Sequence, residues 1–143
     1  MPADMIHHSK VKDAIAANTI TATTNGITID TQGFESLMFV IDVGAFVDFT
    51  ATNKWTFTVE EGDVADASDM AAIAAADYLA SYRDGTSGWD RICDAAADDV
   101  LAYAIGVRMN AKRYKRLVLT EAGTVSAIVA AMAILDHARH MPV

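Results

Sequence analysis

The C-terminal third of the sequence most constrains the fold, because it holds long runs of alternating or continuous apolar residues. Residues 100–109 read VLAYAIGVRM, in which large side chains alternate with small ones. Successive side chains of a strand point to opposite faces, so this pattern predicts a β-strand with one buried face. Residues 117–124 predict a second strand, and the almost wholly apolar run 125–135 predicts a third. Three consecutive strands with short links predict a meander that a second sheet must cover.

Nearer the N terminus, the sequence predicts a hairpin and two further strands. Two β-branched runs, 19–24 and 27–31, are joined by Asn25-Gly26, a dipeptide typical of two-residue type I′ hairpins. Residues 34–43 are apolar on both faces, which predicts a strand that is central in its sheet or partly covered by a neighbouring subunit. Residues 55–60 alternate cleanly and predict another half-buried strand.

Residues 61–99 differ in character, because they are rich in aspartate and alanine and lack a clear period. They predict an irregular or partly helical excursion, with either a helix over residues 70–78 or a short strand around 73–79. The whole pattern, with many short strands and no alternation of strands with helices, predicts an all-β antiparallel sandwich of the jelly-roll type. We expect one domain over residues 1–143, with an extended N-terminal arm at about 1–9 and a C-terminal tail at about 136–143.

Charge and composition exclude several classes of function. The formal net charge is −8, which argues against direct binding to nucleic acid or to anionic membranes, since both need concentrated positive charge. No apolar run reaches the length of a membrane span, and the N terminus lacks the pattern of a signal peptide. We therefore expect synthesis in the cytoplasm, with export only as part of a larger particle. The single cysteine excludes an intrachain disulfide.

No combination of residues predicts catalysis, a metal or a cofactor. The four histidines lie near the chain ends. His137 and His140 are spaced as a metal pair on a helix would be, but a proline follows them, and an extended tail that contacts a partner is the favoured interpretation. The acidic residues 60–69 do not match the spacing of a helix–loop–helix calcium loop, so a solvated loop is favoured.

Three groups of residues are candidates for contacts with other proteins. The first is apolar and lies in a predicted loop: Phe46, Val47 and Phe49. The second is the one basic cluster of the chain: Arg108, Lys112, Arg113, Lys115 and Arg116. The third lies in the tail: His137, Arg139 and His140. The basic cluster is interpreted either as a solvated hairpin tip or as a docking surface for residues 60–99 of a neighbouring copy.

Five segments occur in an order that resembles small structural proteins of tailed bacteriophages. They are TATTNGITIDTQGFES (21–36), FVIDV (39–43), WTFTVE (55–60), RYKRLVLT (113–120) and DHARHMPV (136–143). The resemblance covers most of the chain except residues 61–99. It implies a non-enzymatic virion protein, either a jelly-roll decoration (cement) protein or a minor capsid protein on the outside of an icosahedral capsid.

The resemblance also implies partners and a location, while other functions remain open. The implied partners are the major capsid protein and further copies of the chain, with a trimer favoured, at the capsid surface of the virion. A head–tail or tail component is an alternative within the same class. From the residues alone, a carbohydrate-binding jelly-roll module is a third hypothesis, in which Trp55, Trp89, Tyr78 and Tyr82 would supply a row of aromatic rings. A metal-dependent enzyme of the cupin type would need histidines inside strands, which the sequence does not have.

Overall fold

A computed structural model describes residues 5–109 and 112–138 as two antiparallel β-sheets packed face to face, which confirms the predicted all-β sandwich. The first elements in chain order are α1 (Met5–His8), β1 (Lys10–Ile20), β2 (Thr24–Asn25), β3 (Ile29–Asp30), β4 (Phe34–Val43), β5 (Lys54–Gly62) and β6 (Ala71–Ala72). The remaining elements are β7 (Tyr78–Arg83), β8 (Thr86–Ser87), β9 (Ile92–Cys93), β10 (Leu101–Val107), β11 (Tyr114–Ala122) and β12 (Ala127–Ala138), with 3₁₀ turns at Ala75–Asp77 and Ala96–Asp98.

The strand order is that of a jelly roll. Sheet A has the order β1-β12-β4-β10-β7-β8, and sheet B has the order β2-β11-β5-β6, with β3 also paired to β11 and β9 to β5. The pairs are nested, because β1 pairs with β12, β2 and β3 with β11, β4 with β10, and β5 with β6 and β9. One long antiparallel ribbon rolled into two layers has this connectivity.

The predicted meander of three C-terminal strands is wrong, although the strands themselves form where expected. Strands β10 and β12 lie in sheet A on either side of β4, whereas β11 lies in sheet B. Each short link therefore crosses from one layer to the other. The alternation of side chains shows which face of a strand is buried, but both layers bury the same kind of face, so the pattern does not assign a strand to a sheet.

The hairpin predicted at Asn25-Gly26 is also wrong. Strands β2 and β3 both pair with β11 and not with each other, and the Gly26 N–H donates to the carbonyl of Leu117 at 2.7 Å. A Cβ atom on Gly26 would lie 2.7 Å from the carbonyl oxygen of Ala14. Glycine is needed here for close backbone approach and not for a turn. A two-residue hairpin with positive φ at both positions occurs instead at Asp84 and Gly85, between β7 and β8.

The inward faces of the two sheets form one core. The alternation predicted for β5 is confirmed, since Trp55, Phe57 and Val59 are fully buried. A chain of aromatic contacts runs through this core, in the order Phe46, Phe49, Trp55, Phe57, Trp89 and Tyr103. Each large apolar side chain buried in this way stabilises the fold by about 1.5–3 kcal/mol.

Residues 61–99 form an irregular excursion, and its strands β7 and β8 extend one edge of sheet A beyond β10. The helix considered over residues 70–78 is reduced to the 3₁₀ turn Ala75–Asp77. At the N terminus, the predicted extended arm includes one helical turn, Met5–His8. The predicted tail begins inside β12, which continues to Ala138, and its remaining residues lie outside the described ranges. None of the helices in the described ranges is long and apolar enough to cross a membrane.

Candidate functional site

The basic cluster predicted from the sequence lies at and beside β11, where it contacts carboxylates of the same chain. Antiparallel pairing of β11 with β5 places Lys115 opposite Glu61 and Arg116 opposite Glu60. The Lys115 Nζ lies 2.6 Å from Glu61 Oε2, and the Arg116 Nη2 lies 2.6 Å from Glu60 Oε2. Docking on residues 60–99 of a neighbouring copy was one of two interpretations of this cluster, and here Glu60 and Glu61 of the same molecule supply the carboxylates.

The other members of the basic cluster are paired in the same way. The pairs are Lys112 with Asp63 (2.6 Å), Arg113 with Asp30 (2.7 Å) and Arg108 with Asp77 (3.8 Å). The Arg113 guanidinium donates two hydrogen bonds to the Asp30 carboxylate, and this bonding lowers the pKa of Asp30 to about 2. Exposed pairs of this kind contribute only about 0–1 kcal/mol each to stability. Their effect here is to neutralise the cluster, so it is not a free cationic patch.

Two residues predicted at an interface are instead inside the protein's own core. Phe49 is 2% exposed, and its ring packs edge-on against Trp55 with ring centroids 5.5 Å apart. Lys115 is 0% exposed because the alternation of β11 points it inward with Leu117. Neither side chain is accessible to a partner. The chain itself covers both side chains, because the loop of Phe49 folds back over the core and because Glu61 compensates the buried Lys115 ammonium.

The remaining apolar loop residues lie at one end of the sandwich, next to the start of β10. Val47 is 73% exposed, whereas Phe46 is half-buried against Phe49. The Phe46 N–H donates to the Asp99 carboxylate at 3.0 Å, which ties this loop to residues 99–100. Val100 is 67% exposed and has a φ of 53°. A β-branched residue in this left-handed region is strained by about 1–3 kcal/mol. We call Phe46, Val47 and Val100 the apolar tip.

The outward face of sheet A is the largest feature that the site predictions missed. Cross-strand partners share a face of a sheet, and the register places Met132 beside Val40 and Ile134 beside Met38. On the next strands, Ala104 lies beside Val40 and beside Tyr82. We call the following outward residues the apolar face: Met38, Val40, Leu79, Tyr82, Met132 and Ile134. Four of them are between 38% and 58% exposed.

Two exposed carboxylates border the apolar face, and no lysine or arginine stands beside them among the described outward residues of its strands. Asp42 on β4 lies beside Ala130 of β12, and Asp13 on β1 lies beside Met132. Both aspartates are exposed. Among the described outward residues of β1, β12, β4, β10 and β7, none is lysine or arginine. The apolar face therefore combines a hydrophobic surface with a small negative charge.

The outward face of sheet B has the opposite composition. Its central strands present threonines at 56, 58 and 120 together with the Arg116–Glu60 ion pair. A polar outward face of this kind is what an antiparallel sheet in contact with solvent requires. The difference between the two outward faces was partly visible in the sequence, because residues 34–43 are apolar on both sides. The contributions of Leu79 and Tyr82 were not visible, because they depend on β7 joining sheet A.

The structure does not arrange Trp55, Trp89, Tyr78 and Tyr82 as the exposed row of aromatic rings that the carbohydrate hypothesis requires. Trp55 is 0% exposed and Trp89 is 8% exposed, and the Trp89 indole N–H donates to the carbonyl of Ile92. A cavity of about 690 Å³ lies beside Trp89, between the β7–β8 hairpin and residues 89–101. Its charged groups stabilise the loop, because the Asp98 carboxylate lies 3.0 Å from the Arg83 guanidinium and accepts two backbone N–H groups.

Reactive and metal-binding groups are also used structurally. Burial raises the pKa of the Cys93 thiol to about 12, so Cys93 is not an activated nucleophile. In the acidic stretch, the Asp69 carboxylate accepts the backbone N–H groups of Asp63 and Val64 and closes the loop. Within residues 5–109 and 112–138, no three histidine, cysteine, aspartate or glutamate side chains are grouped to hold a metal ion.

The tail residues can be placed only in part. His137 is exposed at the end of β12, where its Nδ1 lies 3.2 Å from the Ser36 hydroxyl and 3.5 Å from the Asp136 carboxylate. Arg139 and His140 lie outside the described residues. The proposed contact of the tail with a partner therefore stays a prediction.

Comparison with known proteins gives little beyond this geometry. No family model matches the sequence, and no curated protein is significantly similar to it. A solved structure described as SPBc2 prophage-derived protein YomS is 10% identical over 89% of this chain and 91% of that chain, with a TM-score of 0.47. The VP2 subviral particle of infectious bursal disease virus is 10% identical over 90% of this chain and 40% of that chain, with a TM-score of 0.29. We draw no functional conclusion from likenesses this low.

Proposed function

We propose that this protein is a non-enzymatic structural protein of a bacteriophage virion. Its specific role is that of a decoration (cement) or minor capsid protein, bound to the major capsid protein on the outer surface of an icosahedral capsid. The observation that carries the proposal is the apolar face of sheet A. The ordered sequence segments that resemble phage structural proteins supply the biological setting.

The physical reason is the cost of leaving the apolar face in water. Soluble monomers rarely expose contiguous apolar patches of more than a few hundred Å², and such patches commonly mark sites of interaction. The face of a well-ordered sheet is also pre-organised, since its side chains are fixed by cross-strand neighbours before a partner arrives. In contrast, polar groups that could take part in a reaction, such as those of Asp98 and Cys93, are buried or hydrogen-bonded within the fold. This arrangement favours a role in binding over a role in catalysis.

The alternative functions differ in the partner that the apolar face would contact. A head–tail or tail component would present the same face to a portal or tube protein. The carbohydrate-binding hypothesis has lost its support, because both tryptophans are buried. The trimer implied by the sequence resemblance is a further part of the proposal, and it concerns how copies associate with one another.

The direct test is co-sedimentation of the purified chain with empty capsid shells assembled without it. Saturable binding, with a fixed number of copies per shell, supports the proposal. Binding to purified tail tubes but not to shells would favour the tail alternative, and no binding to either would refute a virion role. Size-exclusion chromatography with light scattering tests the trimer, for which we expect three times the chain mass of 15.3 kDa.

A further inference from the structure

We infer that the apolar face of sheet A docks onto a partner surface that is itself apolar and carries lysine or arginine side chains aimed at Asp42 and Asp13. The inference deepens the proposed function by giving the chemistry of the capsid surface that the chain recognises. It commits to a heterologous protein partner and not to a second copy of the chain.

The sign of the charge is the reason for that choice. Asp42 lies next to Val40 at the border of the apolar face, between Ala130 of β12 and Ala102 of β10 and on the side towards the apolar tip, so a partner that covers both the face and the tip also covers Asp42. A partner that covers the face removes water from this carboxylate, which is costly unless a cation replaces the water. The described outward residues of the five longest strands of sheet A include no lysine or arginine that could take this place.

A second copy fits this face poorly. Two apolar faces packed around a two-fold axis would bring both copies of Asp42 and Asp13 into one contact of low dielectric. Like charges in such a contact repel strongly. The chain also has few cations to offer to a neighbour, because five members of the basic cluster are already paired with carboxylates of their own chain.

The apolar tip extends the proposed contact at the same end of the molecule as Asp42. The backbone N–H of Gly44 donates to the carbonyl of Ile128 at 2.7 Å, so the loop of the tip adjoins the start of β12. Ile128 itself is 58% exposed. The Val100 side chain is 67% exposed, so it contributes little to the core that would offset the strain. Strain of this kind is typical of residues that are held in place for a contact.

The test places a negative charge or a positive charge at the same position of the apolar face. Met132→Glu and Met132→Lys both remove the same apolar side chain from the centre of the face. Binding to capsid shells lacking this protein is measured by co-sedimentation at several salt concentrations. We expect both variants to bind more weakly than the wild type, with Met132→Lys at least tenfold weaker than Met132→Glu. Thr120→Glu on the outward face of sheet B is the matched control and should bind like the wild type.

Two further variants make the result specific. Asp42→Asn should weaken shell binding about tenfold and reduce its salt dependence, whereas Asp94→Asn removes the same charge elsewhere and should leave binding unchanged. Val100→Gly should raise the melting temperature of the free chain and still weaken binding. Circular dichroism of each variant verifies that it folds.

Several outcomes would overturn the inference. Equal binding of Met132→Glu and Met132→Lys would show that charge has no part in the contact. A wild-type dimer that Met132→Glu dissociates would assign the face to a second copy. Wild-type binding to shells that none of these variants affects would refute this surface while leaving the virion role intact. Failure of the wild type itself to bind shells would refute the proposed function.

Discussion

The buried ion pair between Lys115 and Glu61 gives the sharpest prediction about stability. The Lys115 side chain is 0% exposed, the Glu61 side chain is 15% exposed, and their charged atoms are 2.6 Å apart. Removing one partner of a buried pair leaves an enclosed charge without its counter-ion and costs about 3–5 kcal/mol. We expect the larger cost for Glu61→Leu, because it takes the 2.6 Å counter-charge away from an ammonium that has no contact with solvent. Lys115→Met strands a carboxylate that water still reaches, so its cost should be near 3 kcal/mol.

The double variant Lys115→Met with Glu61→Leu should recover most of the loss. Replacing both charges of a buried pair by apolar groups is often neutral, so we expect it within about 1 kcal/mol of the wild type. Urea unfolding followed by tryptophan fluorescence measures these free energies, and a loss of 3 kcal/mol should lower the melting temperature by about 10 °C.

An exposed pair supplies the control for this experiment. Lys112→Met removes the same charge from the exposed pair with Asp63 and should change stability far less than either single substitution in the buried pair. The reasoning would be refuted if the two single substitutions in the buried pair were additive in the double variant. It would also be refuted if either of them cost no more than the control.

Three further predictions concern other parts of the fold. The Arg113 guanidinium holds the pKa of Asp30 at about 2, below its usual 3.8. The pair therefore stabilises the protein above about pH 4, and this contribution is lost as the pH falls from 4 to 2. Asp30→Asn should flatten that part of a plot of stability against pH, and an unchanged profile would contradict the assignment. Cys93, with its pKa raised to about 12 by burial, should react with Ellman's reagent only after unfolding, so rapid labelling of the native protein would contradict the fold. Gly26→Ala should destabilise the fold by about 1–3 kcal/mol in the same urea assay, because the new Cβ meets backbone atoms. Gly106→Ala is the control, since the nearest atoms to its new Cβ would lie at 3.8 Å, and it should change stability by less than about 1 kcal/mol.

The strands and their buried faces could be predicted from the sequence, because strand alternation is a local property. The pattern of residues 34–43 and 55–60 sets which side chains point into the core whatever sheet the strands join. The connectivity could not be predicted in the same way. Asn25-Gly26 has the composition of a hairpin, but its glycine is required by the backbone of Ala14 and Leu117, which are distant in the sequence. The dipeptide that does form a hairpin, Asp84-Gly85, lies in the excursion, where no flanking alternation marks it.

The candidate site shows the same division between local and distant information. The charges of the basic cluster are plain in the sequence, but their neutralisation depends on the register that sets Lys115 opposite Glu61. The apolar face was indicated only by the second apolar side of residues 34–43. Its full extent depends on four strands that are brought together by the jelly-roll order.

Oxidation of methionine in the native chain tests the central claim most directly, since it needs no substitution. Met38 and Met132 lie on the apolar face and are 38% and 45% exposed, while the partly exposed Met70, between the acidic residues 60–69 and β6, serves as the reference. Hydrogen peroxide converts accessible methionine to its sulfoxide, which mass spectrometry quantifies for each peptide. When the protein is bound to capsid shells, we expect oxidation of Met38 and Met132 to slow several-fold while Met70 reacts as in the free chain. Equal oxidation of Met38 and Met132 in the bound and free states would contradict the proposal that the apolar face is the surface that docks.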